Sequence, residues 1–150
     1  KAGLSFYDAL GHAVIVHDIN GKRIACGILV TKDEVYGQAP YVVKSFVPYF
    51  NYNGPLKVEG QLTIRTLDTT QYLDWKLSGA DRNCFRTPYP NGAISNDCGI
   101  HIHNGTSCSE DAGPHFYKTK EDPWKTLHYK VRYGSTRASA KKIKAGLSFY

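Results

Sequence analysis

No segment of the 150 residues approaches the length of an apolar membrane span, and no signal peptide stands at the start. The chain therefore reads as a soluble fragment or mature domain. Methionine is absent, while Val, Ile and Tyr are frequent and glycine numbers 14, a balance that leans towards an all-β domain. No stretch carries convincing helical periodicity. The four cysteines never fall as Cys-x-x-Cys, which counts against a cysteine-rich zinc site. Their even number fits two disulfides in an oxidising, extracellular compartment, with three connectivities open. The formal charge of +6 and pI near 9.1 favour anions. Yet the basic residues are scattered rather than gathered on one helix or loop, so no nucleic-acid partner is expected. Even the densest run, Lys141-Lys142-Ile143-Lys144, suits a solvated strand, and a small anionic substrate is drawn by the same field.

The length suits one domain, 1–150, with a real core. Short strands alternate with turn signals. They are expected at 13–17, 23–30, 41–49, 56–67, 72–78, 99–103, 125–133 and 140–149. Ile19-Asn20-Gly21-Lys22 supplies a tight turn of Asn-Gly type between the first two. Residues 31–40 read as a polar linker, 79–97 as a loop rich in Gly, Pro, Asn and Asp, and 104–123 as a second long loop. One repeat stands out: Lys1-Ala2-Gly3-Leu4-Ser5-Phe6-Tyr7 recurs identically as Lys144-Ala145-Gly146-Leu147-Ser148-Phe149-Tyr150. That period is about the size of a domain. It describes either one unit cut from a tandem array, with neighbouring repeats and possible strand swapping, or a permuted chain with an overlap.

The stretch with the most chemistry is Cys98-Gly99-Ile100-His101-Ile102-His103-Asn104-Gly105-Thr106-Ser107-Cys108, followed shortly by Ala112-Gly113-Pro114-His115-Phe116. Alternate strand side chains share a face, so His101 and His103 point the same way while Ile100 and Ile102 line a core. Two neutral imidazoles from one strand make half a site for zinc, copper, iron or nickel. A third histidine, His115, lies behind a Gly-Pro turn. Asn104-Gly105-Thr106 is an N-glycosylation sequon.

His-Ile-His, then Gly-Thr-Ser-Cys, then Ala-Gly-Pro-His-Phe, resembles the metal-binding core of the copper/zinc superoxide dismutases. That family's fourth histidine, and its arginine before Ala-Cys-Gly, are matched by Val14-Ile15-Val16-His17 and Lys22-Arg23-Ile24-Ala25-Cys26-Gly27, but at the opposite end of the chain. The family order is thus rotated: residues 1–30 match its last strands and 41–150 its first. The resemblance implies an eight-stranded Greek-key barrel or sandwich. It assigns copper to His17, His101, His103 and His115, with His115 the one that leaves the metal on reduction and takes a proton. Arg23 takes the place of the arginine that draws superoxide in. It also implies a disulfide between Cys26 and Cys108, which leaves Cys84 with Cys98.

The family's zinc ligands are missing after His115, where His128 alone could serve and the expected aspartate falls near Val131 or Arg132. The charged loop between fourth histidine and arginine is reduced to Asp18–Lys22. Both losses resemble the copper-only branch, including animal repeat proteins built from several such domains. In that branch a carboxylate holds the outer nitrogen of the His115 equivalent. Glu121 and Asp122 are the candidates here, with Glu110 behind them. The expectation is a copper-only superoxide dismutase domain with one copper and no zinc. The competing expectation is a copper-binding or structural module with little turnover. His17 is expected to complete the site within one chain, because linker 31–40 can span roughly 33–36 Å when extended.

Overall fold

The computed structural model describes residues 8–32, 40–67, 70–88, 90 and 93–145. Among these the chain is all-β. Its strands are β1 (Ala13–His17), β2 (Arg23–Ile28), β3 (Val30–Thr31), β4 (Tyr41–Val43), β5 (Val47–Pro48), β6 (Glu59–Leu67), β7 (Thr70–Ser78), β8 (Ile100–His103) and β9 (Ala138–Lys144). They form two antiparallel sheets, ordered β5-β2-β1-β8 and β3-β4-β6-β7-β9. The sheets do not close into a barrel among the described residues. One core lies between them. Val14, Val16, Ile24, Ile100 and Ile102 from the first sheet meet Tyr41, Val43, Leu62, Ile64, Leu73, Trp75 and Leu77 from the second. No helix among the described residues is long and apolar enough to cross a membrane.

Two of the expected strands are each split between the sheets. The segment 23–30 leaves the first sheet after Ile28. Leu29 turns fully into the core, its N–H bonded to His12 O, and Val30–Thr31 joins the second sheet opposite Val42 and Tyr41. The segment 41–49 makes the same crossing in reverse, with Val43 facing Leu62 in one sheet and Val47 facing Cys26 in the other. A β-carbon on Gly27 would stand 2.2 Å from Val43 Cγ1, so glycine is what lets the two crossing segments touch. Lys32 N–H donates to Pro40 O at 3.2 Å, so the two ends of the connection are neighbours; its residues 33–39 lie outside the described ones.

Residues 125–133 are not a ladder strand. Asp122 caps a 3-10 turn at Pro123–Thr126, and the chain then runs extended with Leu127, Tyr129 and Val131 buried alternately. The period of two is therefore present. Its ladder, however, is one bridge, Gly99 to His128, because the partner chain turns away at Cys98 into a left-handed φ of 52°. The repeated heptads, 1–7 and 144–150, fall outside the described residues except for Lys144 and Ala145. Lys144 ends β9 opposite Tyr72, and Ala145 N–H bonds Gln71 O.

Cys26 is bonded to Cys108 and Cys84 to Cys98, the pairings implied by the resemblance, with sequence separations of 82 and 14. Constraint of the unfolded chain grows with the logarithm of loop length, so the longer link should stabilise by about 1.5 kcal/mol more than the shorter. Urea unfolding of metal-free Cys26→Ser/Cys108→Ser and Cys84→Ser/Cys98→Ser proteins measures this. Equal losses would contradict it.

Candidate metal centre

The sheet β5-β2-β1-β8 is buried on both faces along its strands β1 and β8. Its second face carries Ala13, Ile15 and His17 of β1 with His101 and His103 of β8, set side by side because Ile15 pairs with His101 and Ala13 with His103. Loop 104–123 covers that face. The Cys26–Cys108 bond fastens its first part to β2, Gly105 N–H bonds Ala112 O, and Phe116 N–H bonds Ile102 O. An isolated bridge then places His115 beside His103. His17, His101 and His103 are 0–1 % exposed, whereas 10 % of the His115 side chain is exposed. Ligand atoms of His17, His101 and His103 lie within 4.8 Å of one another. The His115 ring centre is 4.3 Å from that of His101 and 4.8 Å from that of His103.

One ring nitrogen of each histidine faces an acceptor. His17 Nδ1 meets Gly99 O at 3.2 Å, His101 Nε2 meets Leu127 O at 3.0 Å and His103 Nδ1 meets Gly113 O at 2.9 Å. His115 Nδ1 meets Asp122 Oδ2 at 2.6 Å. A carbonyl or carboxylate oxygen can only accept, so each of these nitrogens carries the proton and the other nitrogen carries a lone pair. Those lone pairs are Nδ1 of His101 and Nε2 of the other three. His101 Nδ1 and His103 Nε2 are buried with no hydrogen-bond partner. Leaving a buried polar atom unpaired costs about 1–3 kcal/mol, and a metal ion is the partner that fits several converging imidazole lone pairs. His101 is turned round relative to the others by space at Gly99, where a β-carbon would stand 2.2 Å from His101 Cε1.

Burial holds His17, His101 and His103 neutral. Desolvation, the largest cause in each case, lowers His17 from 6.5 to about 3 and His103 to about 2, against the opposing pull of the Gly99 and Gly113 carbonyls. Desolvation also puts His101 well below its ordinary value, helped by the neighbouring histidines. Neutral imidazole is the state a metal requires.

Arg23 arrives at the mouth of this cluster through a β-bulge. The β1–β2 register runs Ile15 to Cys26 and Val16 to Ala25, then skips Ile24 to pair His17 with Arg23. Cys26 is on the histidine face; Ala25 and Ile24 both go to the core. The extra residue turns Arg23 back to the histidine side. Its Nη1 donates to Tyr49 OH at 2.9 Å and to exposed Asp111 at 3.3 Å, and its Nη2 donates to Gly113 O at 2.8 Å. Gly113 O thus holds both the arginine and His103.

Of the candidate carboxylates, Asp122 reaches His115, while Glu121 and Glu110 are exposed and make no side-chain bond to it. Asp122 is doubly held, since Oδ1 also accepts Trp124 N–H at 2.8 Å. His128 stands apart from the four, its Nδ1 donating to Asp97 O at 2.6 Å. Asn104 and Thr106 of the sequon are exposed. Tyr49 and the carbonyls of Gly99, Gly113 and Leu127 escaped sequence reasoning. A carbonyl is common to every residue, so nothing in the sequence marks these three. No family model, curated protein or solved structure matches the chain. The fold and site define it as a disulfide-linked two-sheet β domain with a buried histidine cluster able to hold a metal ion.

Two outcomes are expected. The unfolded chain takes up protons on these histidines near pH 6.5, whereas folded His17, His101 and His103 do not. Stability of the metal-free protein is therefore fully present above 6.5 and falls as pH drops towards 3, at up to about 1.4 kcal/mol per pH unit for each buried histidine. Thermal midpoints at pH 7.5, 6 and 5 test this, and a flat profile would count against it. Asp122→Asn should weaken metal binding by about 10–100-fold, because an amide no longer fixes the His115 tautomer as an anion does. Calorimetric titration with Cu(II) reads the change.

Proposed function

We propose that the chain is a copper-only superoxide dismutase domain of the copper/zinc superoxide dismutase family, converting two superoxide ions and two protons to oxygen and hydrogen peroxide. The observation that carries this is the convergence of His17, His101 and His103 within 4.8 Å, with the His115 ring packed against two of them and a held guanidinium beside them. Four imidazoles suit copper, which also binds most tightly among the divalent first-row ions. A copper ion held there supplies a one-electron Cu(II)/Cu(I) couple.

The protein's part is positioning. Arg23, with 29 % of its side chain exposed, offers a fixed cation at the entrance, and its bonds to Tyr49 and Gly113 set where a small anion is drawn. Asp122 keeps the proton on His115 Nδ1, so Nε2 is the atom at which a proton can be taken up and returned. The same carboxylate occupies the nitrogen that a bridging zinc would use, and His128 is engaged with Asp97 O, which supports a site without zinc. On this reading the two sheets form a Greek-key sandwich of rotated strand order. Residues 1–30 supply the last family strands, 31–40 the linker and 41–150 the first strands. The two disulfides fit secretion, where the exposed Asn104 sequon would be glycosylated. The identical heptads support the second reading, a copper-binding or structural module among neighbouring repeats.

Elemental analysis and pulse radiolysis of the copper-loaded protein separate the two. One copper per chain, no stoichiometric zinc and a rate approaching about 10⁸–10⁹ M⁻¹s⁻¹ are expected. Copper binding without turnover would favour the module. Arg23→Gln should lower the rate about tenfold and flatten its salt dependence with copper content unchanged. Asp111→Asn should raise it at low salt, since an exposed carboxylate then no longer competes for the guanidinium.

A further inference from the structure

Away from the histidine cluster a groove of about 1200 Å³ runs between the outer face of β6, β7 and β9 and the turn that precedes β9. Lys76, Lys130, Arg132 and Arg137 line it, and all four are exposed. No carboxylate lines it among the described residues, and none of the four cations is in an ion pair there. Glu59, next to the lining Gly60, is taken by Lys57 at 3.8 Å. The turn is closed by Ser135 N–H on Arg132 O at 2.9 Å, and Ala80 N–H ties it to the sheet through Thr136 O. Tyr133 stands at its tip, 84 % exposed, with its ring edge-to-face on Phe85 at 5.0 Å.

We propose that this groove binds a sulfated polysaccharide. Four uncompensated cations spread around a space this large repel one another, and one small anion would leave most of them unneutralised. A flexible chain bearing several sulfates neutralises them together and releases its own counterions. Nucleic acid fits less well. A duplex is read by an element that projects into its groove, and here the surface is concave. Single strands need a series of free aromatic faces for successive bases. Phe85 is already engaged by Tyr133 and by Arg86 at 5.1 Å, which leaves Tyr133 alone at the rim. Two disulfides fit the extracellular compartment where sulfated polysaccharides are found.

The test uses a heparin decasaccharide and a ten-nucleotide single-stranded DNA as probes, by calorimetry in physiological salt. Lys76→Gln/Arg132→Gln/Arg137→Gln should weaken decasaccharide binding at least about tenfold and lower the salt slope. Lys32→Gln/Lys44→Gln/Lys120→Gln removes the same charge at other exposed positions and should change it by less than about threefold. All six residues are exposed, and an unchanged thermal midpoint confirms folding in both variants. Equal weakening by the two variants would reduce the groove to a net-charge effect and overturn the proposal. So would no binding, or DNA binding as tight as decasaccharide binding and lost in the groove variant.

Discussion

Each imidazole of the cluster surrenders one nitrogen to an oxygen acceptor, and the rest of the centre depends on that. With their protons committed to Gly99, Leu127, Gly113 and Asp122, the rings cannot rotate without stranding a buried N–H. The ligand atoms of His17, His101 and His103 lie within 4.8 Å of one another in a buried space, and the His115 ring packs against it. A neutral histidine is cheaper to bury than a charged one, so burial and metal readiness are the same condition here. The three acceptor carbonyls come from Gly99 beside β8, Gly113 in loop 104–123 and Leu127 just after the 3-10 turn, which makes the centre a product of loop placement as much as of strands.

Loop placement rests on two devices. The Cys26–Cys108 bond fixes the first part of the loop to the strand that carries Arg23. Tyr49 joins the same assembly, accepting Arg23 Nη1 and Ala112 N–H on one hydroxyl. Gly113 O then receives Arg23 and His103 together, so a shift of the loop moves the guanidinium and a ligand in step. The far end is held by Asp122, whose two oxygens divide between His115 and the 3-10 turn that buries Trp124. Tyr129 finishes the frame by donating to His17 O at 2.7 Å.

Charge is partitioned across the molecule. Beside the histidines stands a held cation, Arg23, partly offset by Asp111, and the other sheet presents four cations without ion pairs around its groove. Two of the cationic features thus differ in kind: a single guanidinium suited to a small anion and an open groove suited to a polymer. Scatter along the sequence concealed the second, because Lys76 and the 130–137 segment meet only when β7 and β9 pair through Lys76 and Ser139.

Much of the centre was legible in the residues. Alternation in Ile100-His101-Ile102-His103 put both imidazoles on one face and both isoleucines in the core, as found, because strand side chains alternate whatever surrounds them. The turn at Asp18–Lys22 brought Arg23 opposite His17, since a short hairpin sets its flanking residues side by side. Asp122 could be nominated but not separated from Glu121, one residue away, because a loop has no period to say which side chain turns inward. Counting by twos from Cys26 sends Arg23 into the core; the bulge at Ile24 sends it to the entrance, and a bulge is set by packing of Ile24 and Ala25 against the other sheet. The splitting of 23–30 and 41–49 between sheets has the same origin. Local pattern determines which side chains share a face, whereas the sheet they join and the carbonyls they meet depend on residues tens of positions away.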